Sequence, residues 1–253
     1  MSPEAQRFQG FSFWLVIGSE SVPHSLEKIP TIEALQRSIC ACKHCPRLVA
    51  WTKEVTRTKV ARFKDFDYWG KPVPSLGRVD ARLLIVGLAP AAHGGTRTGR
   101  VFTGDRSGEW LYRALHRFGF VNQPHSIDRN DGLKLADCYI TAVLHCAPPL
   151  NKPAPEEVAN CKPYLTRELE LLRRVRVVVV LGKISFDNVW PLVSKPQQKR
   201  PPFQHGLEAE LDLGQTLIAS YHPSQQNTFT GKLTEPMFDR IFARARQLLE
   251  QSG

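Results

Sequence analysis

The sequence predicts an α/β fold: a three-layer α/β/α sandwich on a central, mainly parallel, four-stranded sheet. Three observations carry this. Four short apolar runs, at residues 83–87, 139–145, 176–182 and 216–221, have the length and the Val, Ile and Leu content of buried strands. Segments between and after them space their apolar residues as helices do. Strands that alternate with helices pair in parallel, and their crossovers cover both faces of the sheet.

Residues 1–30 read as an N-terminal extension and residues 31–253 as a single domain, large enough to bury a substantial core. The apolar patch at 11–17 is too short to span a membrane and lacks the start and cleavage site of a signal peptide. With no other long apolar segment, the chain reads as soluble, cytoplasmic and not membrane-bound. A helix is expected over 31–49, then the strand at 83–87. Trp110, Leu111, Ala114, Leu115 and Phe118 mark a helix over 107–120. After the strand at 139–145, a helix over 154–173 opens on Pro155-Glu156-Glu157, whose acids suit a helix N-terminus. Arg176-Val177-Val178-Val179-Val180-Leu181-Gly182 is the clearest buried strand, residues 195–203 read as a surface loop, and residues 237–250 close the chain as an amphipathic helix.

Between the strand at 83–87 and the helix at 107 lies Leu88-Ala89-Pro90-Ala91-Ala92-His93-Gly94-Gly95-Thr96-Arg97-Thr98-Gly99-Arg100-Val101-Phe102-Thr103-Gly104-Asp105. Open α/β sheets place ligands at such strand ends. Its glycines allow close approach of backbone to ligand, and its carboxylate can activate water. The spacing is not G-x-G-x-x-G, and no Gly-Lys-Ser/Thr follows, so phosphate-loop chemistry has no matching residues. A connection of this length is usually functional.

Lys and Arg total 34 against 24 acids, a net charge of +10, which points to a polyanionic partner or to a merely solvated basic surface. Aromatics among the charges, such as Trp51 with Lys53 and Arg57, favour nucleic acid. Of the six cysteines, Cys42 and Cys45 form a C-x2-C followed by Pro46, and Cys146 and Cys161 form a wider pair with 14 residues between them. Four thiolates brought together hold zinc or an iron–sulfur cluster, and spacing alone leaves both open. Cys40 stands as an alternative to Cys42, and Cys138 reads as a buried hydrophobe.

The long loop resembles the first motif of the family 5 uracil-DNA glycosylases, the iron–sulfur branch of that superfamily. His222-Pro223-Ser224, after the strand at 216–221, resembles the superfamily's His-Pro-Ser motif. Leu88 and Ala142 stand where the sister family 4 has Glu and Asn, and both departures point to family 5. The resemblance spans residues 42–231.

The resemblance implies a monofunctional glycosylase that flips uracil out of DNA, double- or single-stranded, and hydrolyses its glycosidic bond. It implies Cys42, Cys45, Cys146 and Cys161 as ligands of a [4Fe–4S] cluster. Asp105, in its Thr-Gly-Asp segment, orients and activates water; as a plain residue it also reads as an N-cap for the following helix. His222 donates to uracil O2 as charge develops there. Phe102 stacks on the flipped base, with ordinary core packing as the other reading. Asn151 stands near the base or the water, and the backbone of Gly87, Leu88, Ala89, Pro90 and Ala91 completes recognition. Gln225, Gln226 and Asn227 open a loop that enters the minor groove, or else form an exposed polar loop. Arg97, Arg100, Arg106 and Lys232 supply phosphate contacts. A prokaryotic, nucleoid-associated monomer is expected.

Two other readings remain open at this point. One is a non-catalytic iron–sulfur nucleic-acid-binding protein; the other is a zinc hydrolase of free nucleosides. Within the glycosylase reading, apolar Leu88 and Ala142 loosen discrimination by hydrogen bonding, which extends the range to hypoxanthine and other deaminated bases.

Overall fold

In the computed structural model, which describes residues 24–251, the four apolar runs pair into one parallel sheet. The apolar patch at 11–17 and most of the extension lie outside the described residues. In chain order the elements are α1 (His24–Glu27), α2 (Ile32–Ala41), α3 (Pro46–Thr58), β1 (Leu76–Gly77), β2 (Leu83–Gly87), α4 (Gly95–Thr98), α5 (Arg106–Arg117), β3 (Cys138–Ala142), α6 (Pro155–Leu171), β4 (Val177–Leu181), α7 (Lys183–Val193), β5 (Glu208–Glu210), β6 (Thr216–Ser220), α8 (Gln225–Phe229) and α9 (Glu235–Gln251).

The strand order is β1-β3-β2-β4-β6-β5. The inner strands β3, β2, β4 and β6 are parallel, as their sequence required. Two antiparallel edge strands, β1 and β5, extend the expected four to six. They are two and three residues long, and β5 alternates exposed glutamates, so neither carries the apolar signature of a strand.

Alternation along the strands builds the three layers. Leu83 and Ile85 of β2 pack with Trp110, Leu111 and Leu115 of α5 and Phe238 and Phe242 of α9. Leu84 and Val86 face the other way, onto Leu165 and Leu169 of α6 and Phe186 and Val189 of α7. Both faces being covered explains why the strands read as continuous apolar runs.

The helix expected over 31–49 is two helices. α2 starts on Thr31, whose hydroxyl caps the Ala34 N–H at 3.3 Å. It ends at Ala41, and Cys42 and Cys45 are extended before Pro46 opens α3. A residue before proline is disfavoured from helical backbone, so Cys45 has to break the run. α7 has no counterpart in the sequence reading. It starts at Gly182, whose φ of 94° other residues rarely adopt.

From β2 the chain crosses to β3 on one side, and from β4 to β6 on the other. The crevice beyond the carboxyl ends of β2 and β4 is therefore the topological switch point, where such sheets bind ligands. The loops after β2, β4 and β6 all leave from this edge.

Candidate active site and cysteine cavity

The loop after β2 folds back over its own strand. Phe102 takes a left-handed backbone, φ 51°, which turns its buried ring onto Gly87. A Cβ on Gly87 would lie 2.6 Å from the Phe102 ring, so only glycine admits this approach. The ring also stacks on His222, centroids 6.1 Å apart and planes 29° apart. The first motif and the His-Pro-Ser motif, about 120 residues apart in sequence, thus meet at the switch point.

Asp105 is the N-cap of α5, its Oδ1 accepting the Gly108 N–H at 2.9 Å. Its second oxygen points to Gly94, where an added Cβ would stand 2.2 Å from Oδ2. The cap and the catalytic readings are thus compatible: the cap uses Oδ1, and Oδ2 lies beside Gly94. Burial raises the Asp105 pKa, outweighing the amide hydrogen bonds that lower it. Arg62, Phe63, Arg97, Arg106, His125 and Phe229 line the mouth in front of it.

His222 packs through its Cβ against Gly182 at 3.2 Å, measured to the Cβ a larger residue would carry there. Its carbonyl accepts from Asn227 Nδ2 at 2.8 Å. Burial alone drives the imidazole pKa down to about 4, so the ring is neutral at pH 7. A neutral ring donates one N–H and carries no charge.

The structure redistributes the other expected residues. Gly87 and Leu88 carbonyls accept from Val143 and Leu144, extending the β2–β3 pairing into the loop, and buried Pro90 has no N–H to offer a base. Asn151 is exposed on the loop after β3, with φ 56°, and makes no contact with Asp105, Phe102 or His222 among the described interactions. Arg100 is not a phosphate contact. Its side chain is 7% exposed and ion-paired with Asp131 at 2.6 Å, with a further bond to Ser126 at 2.6 Å. Arg97 is buried too, its guanidinium 3.9 Å above the Phe63 ring and bonded to the His93 carbonyl at 2.8 Å. A long loop rich in glycine has little apolar mass, and these arginines supply its interior with stems and hydrogen bonds.

Arg106 remains at the mouth, bonded to Thr228 at 3.2 Å and stacked at 4.5 Å on Phe229. Residues 225–229 form α8 rather than a loop, capped by Ser224. Gln225 and Gln226 are exposed, Asn227 braces His222, and Lys232 lies 4.9 Å over the Tyr221 ring. Phe229, missed by the sequence reading, is 68% exposed at the end of α8. An aromatic residue inside Gln-Gln-Asn-Thr-Phe-Thr-Gly was its one signal.

Cys42, Cys45, Cys146 and Cys161 line a single cavity with Ile39, Leu48 and Tyr164. Cys40 faces a neighbouring groove instead, which favours Cys42. Asn160 Nδ2 stands 3.7 Å from Cys45 Sγ, and Tyr164 and His145 line the same cavity. Burial pushes the Cys146 thiol up to about 12 and the Cys161 thiol higher still. Among the described residues no three His, Cys, Asp or Glu side chains converge closely enough for a single metal ion. A cubane holds its four thiolates on four separate irons, so it suits a wider cage of sulfurs. Four cysteines around one cavity fit such a cluster, and the Asn160 N–H beside Cys45 is of the kind that stabilises a thiolate.

Among the described residues, no helix is long and apolar enough to cross a membrane. A family model described as the uracil DNA glycosylase superfamily matches residues 74–246. A type-5 uracil-DNA glycosylase of Mycobacterium leprae is 50% identical over 219 residues, 86% of this chain and 96% of that protein. One of Thermus thermophilus, also named type-5, is 46% identical over 216 residues, covering 85% of this chain and 97% of its own. A type-4 uracil-DNA glycosylase of Archaeoglobus fulgidus is 31% identical over 203 residues, 77% of this chain and 82% of that protein. A match across the whole sheet and these near-complete alignments lead to one conclusion: the chain belongs to the uracil-DNA glycosylase superfamily, and within it to the type-5 group.

Proposed function

We propose that the chain removes uracil from DNA by hydrolysing its N-glycosidic bond, leaving free uracil and an abasic site. The observation that supports the reading is the stacking of Phe102 on His222 at the switch point, with Asp105 capping α5 at the end of the same loop and each of the three packed against a glycine.

A flipped uracil enters beside the Phe102 ring. The bond between C1′ and uracil N1 breaks, its electron pair leaving with the base. Asp105 Oδ2 orients a water and takes its proton as the oxygen bonds to C1′. Its raised pKa matches that role, because a base works best when its pKa nears the operating pH. Neutral His222 donates its N–H to the developing negative charge on O2, a preorganised donor worth several kcal/mol. Asn227 and Gly182 fix its position. Asn151 joins the rim once DNA is bound, and Leu88 and Ala142 offer the base no side-chain hydrogen bond, so hypoxanthine is accepted too.

Phe229 fills the stack vacated by the base, offsetting unstacking, and Arg106, Gln225, Gln226 and Lys232 face the phosphates. Cys42, Cys45, Cys146 and Cys161 hold a [4Fe–4S] cluster. Cys42 and Cys45 in the break between α2 and α3, Cys146 after β3 and Cys161 on α6 would hold it, which would join these segments. The protein acts as a cytoplasmic monomer.

The test is base release from a duplex carrying uracil opposite guanine, by the wild type and Asp105→Asn. Release by the wild type and strong loss in the variant support the reading. No release by folded, cluster-loaded protein overturns it and favours a nucleic-acid-binding role without catalysis.

A further inference from the structure

An open groove of about 1620 Å3, counting solvent at its mouth, adjoins the cysteine cavity and shares Cys42 and Cys146 with it. Its walls are α2, the 42–43 turn and α3, and its floor is residues 69–72. Arg37, Lys43, Lys53 and Lys71 line it against a single carboxylate, Glu33. All four cations are exposed, and among the described residues none has an acidic partner. Elsewhere this protein pairs its surface cations freely, as in Arg57–Glu54 and Arg244–Glu208. Unpaired like charges repel one another, so gathering four along one groove costs stability unless an anion binds there.

The groove is joined to the catalytic loop. The Trp69 N–H bonds the Arg97 carbonyl at 2.8 Å and the Gly70 N–H bonds that of Thr96 at 3.1 Å. Arg129 stacks on the Trp69 ring at 4.3 Å and bonds the Thr98 carbonyl at 3.0 Å. Arg97 itself lines the Asp105 mouth. A basic track with an aromatic residue in its floor, hydrogen-bonded through residues 69–70 to the loop that lines that mouth, suits a nucleic-acid backbone better than a small ligand.

We infer that this groove binds the phosphate backbone of DNA flanking the damaged nucleotide, through Lys43, Lys53 and Lys71. The inference rests on the proposed glycosylase activity for the identity of the polyanion. It also supplies the phosphate contacts that Arg97 and Arg100, turned inward, do not make.

The test compares two triple variants of the full-length, cluster-loaded protein with the same charge loss. One is Lys43→Gln/Lys53→Gln/Lys71→Gln. The other is Arg173→Gln/Arg174→Gln/Arg176→Gln, exposed residues just before the amino end of β4, opposite the site. Affinity for a duplex of roughly three helical turns, carrying a tetrahydrofuran abasic analogue, is measured against salt. At about 0.9 per phosphate, three lost contacts lower the log–log salt slope by about 2.7. A fourfold rise in salt then weakens the wild type about 40-fold more than the groove variant. The arginine variant keeps nearly the wild-type slope. Equal slopes in the two variants, or an unchanged slope in the groove variant, overturn the inference. Failure of the glycosylase reading shows separately, as a wild type that releases no uracil.

Discussion

Replacing Gly94 by alanine tests whether the position of the Asp105 carboxylate, and not merely its presence, drives base release. A Cβ at residue 94 would fall 2.2 Å from Asp105 Oδ2 and 3.0 Å from its Cβ and Cγ. Real Cβ atoms keep at least 3.0 Å, so the carboxylate must retreat by about 0.8 Å, from 2.2 to 3.0 Å. It cannot simply rotate away, because Oδ1 is anchored on the Gly108 N–H. A displacement of about 1 Å in a catalytic group costs roughly 100-fold in rate. The expected result is therefore a loss of about two orders of magnitude in single-turnover uracil release for Gly94→Ala. Asp105→Ala, which removes the base outright, loses more, up to roughly 10⁴-fold. Breaking the cap costs about 0.5–2 kcal/mol of a stability of about 5–15 kcal/mol, so the variant still folds. Release by Gly94→Ala within roughly threefold of wild type, beside an inactive Asp105→Ala, would refute the reasoning. It would show that the carboxylate works from more than one position.

Other outcomes follow from the same geometry. Asp105 is held with a raised pKa, so its contribution to stability is present below the usual carboxylate range and lost as pH rises through the folded value. Asp105→Asn, which still caps α5, should melt higher than wild type at pH 7 to 8, with the gap closing near pH 4; a lower melting point at pH 7 contradicts this. Uracil release should climb with pH through that raised value, giving an acid limb above the ordinary range of aspartate. Arg100→Gln leaves buried Asp131 unpaired and should cost about 3–5 kcal/mol in denaturant unfolding. If it is instead as stable as wild type but binds DNA weakly, the phosphate role returns. Phe229→Ala should weaken binding to abasic duplex while leaving the melting temperature within about 1 °C, since the ring is mostly exposed; unchanged binding removes it as the stack-filling residue. Cys161→Ser should yield protein without the visible absorption of a cluster and with a lower melting temperature, whereas a brown, stable variant excludes Cys161 as a ligand.

The sequence determined the inner sheet and the layers, because four doubly buried strands can be built only from unbroken apolar runs such as Val177–Leu181. Through the resemblance of its two motifs it also singled out Asp105, Phe102 and His222 as site candidates. Tertiary structure alone decided which arginines turn inward and which stand at the mouth of the cleft. Arg97 and Arg106 read alike in sequence, yet one stacks under Phe63 and the other stands at the mouth. It likewise decided that Glu168, a charged residue of α6, is fully buried and accepts from Thr141 at 2.6 Å and Tyr139 at 3.0 Å. Charged side chains are ambiguous in sequence because their burial depends on partners supplied from distant segments, and only the folded chain brings those partners within hydrogen-bond reach.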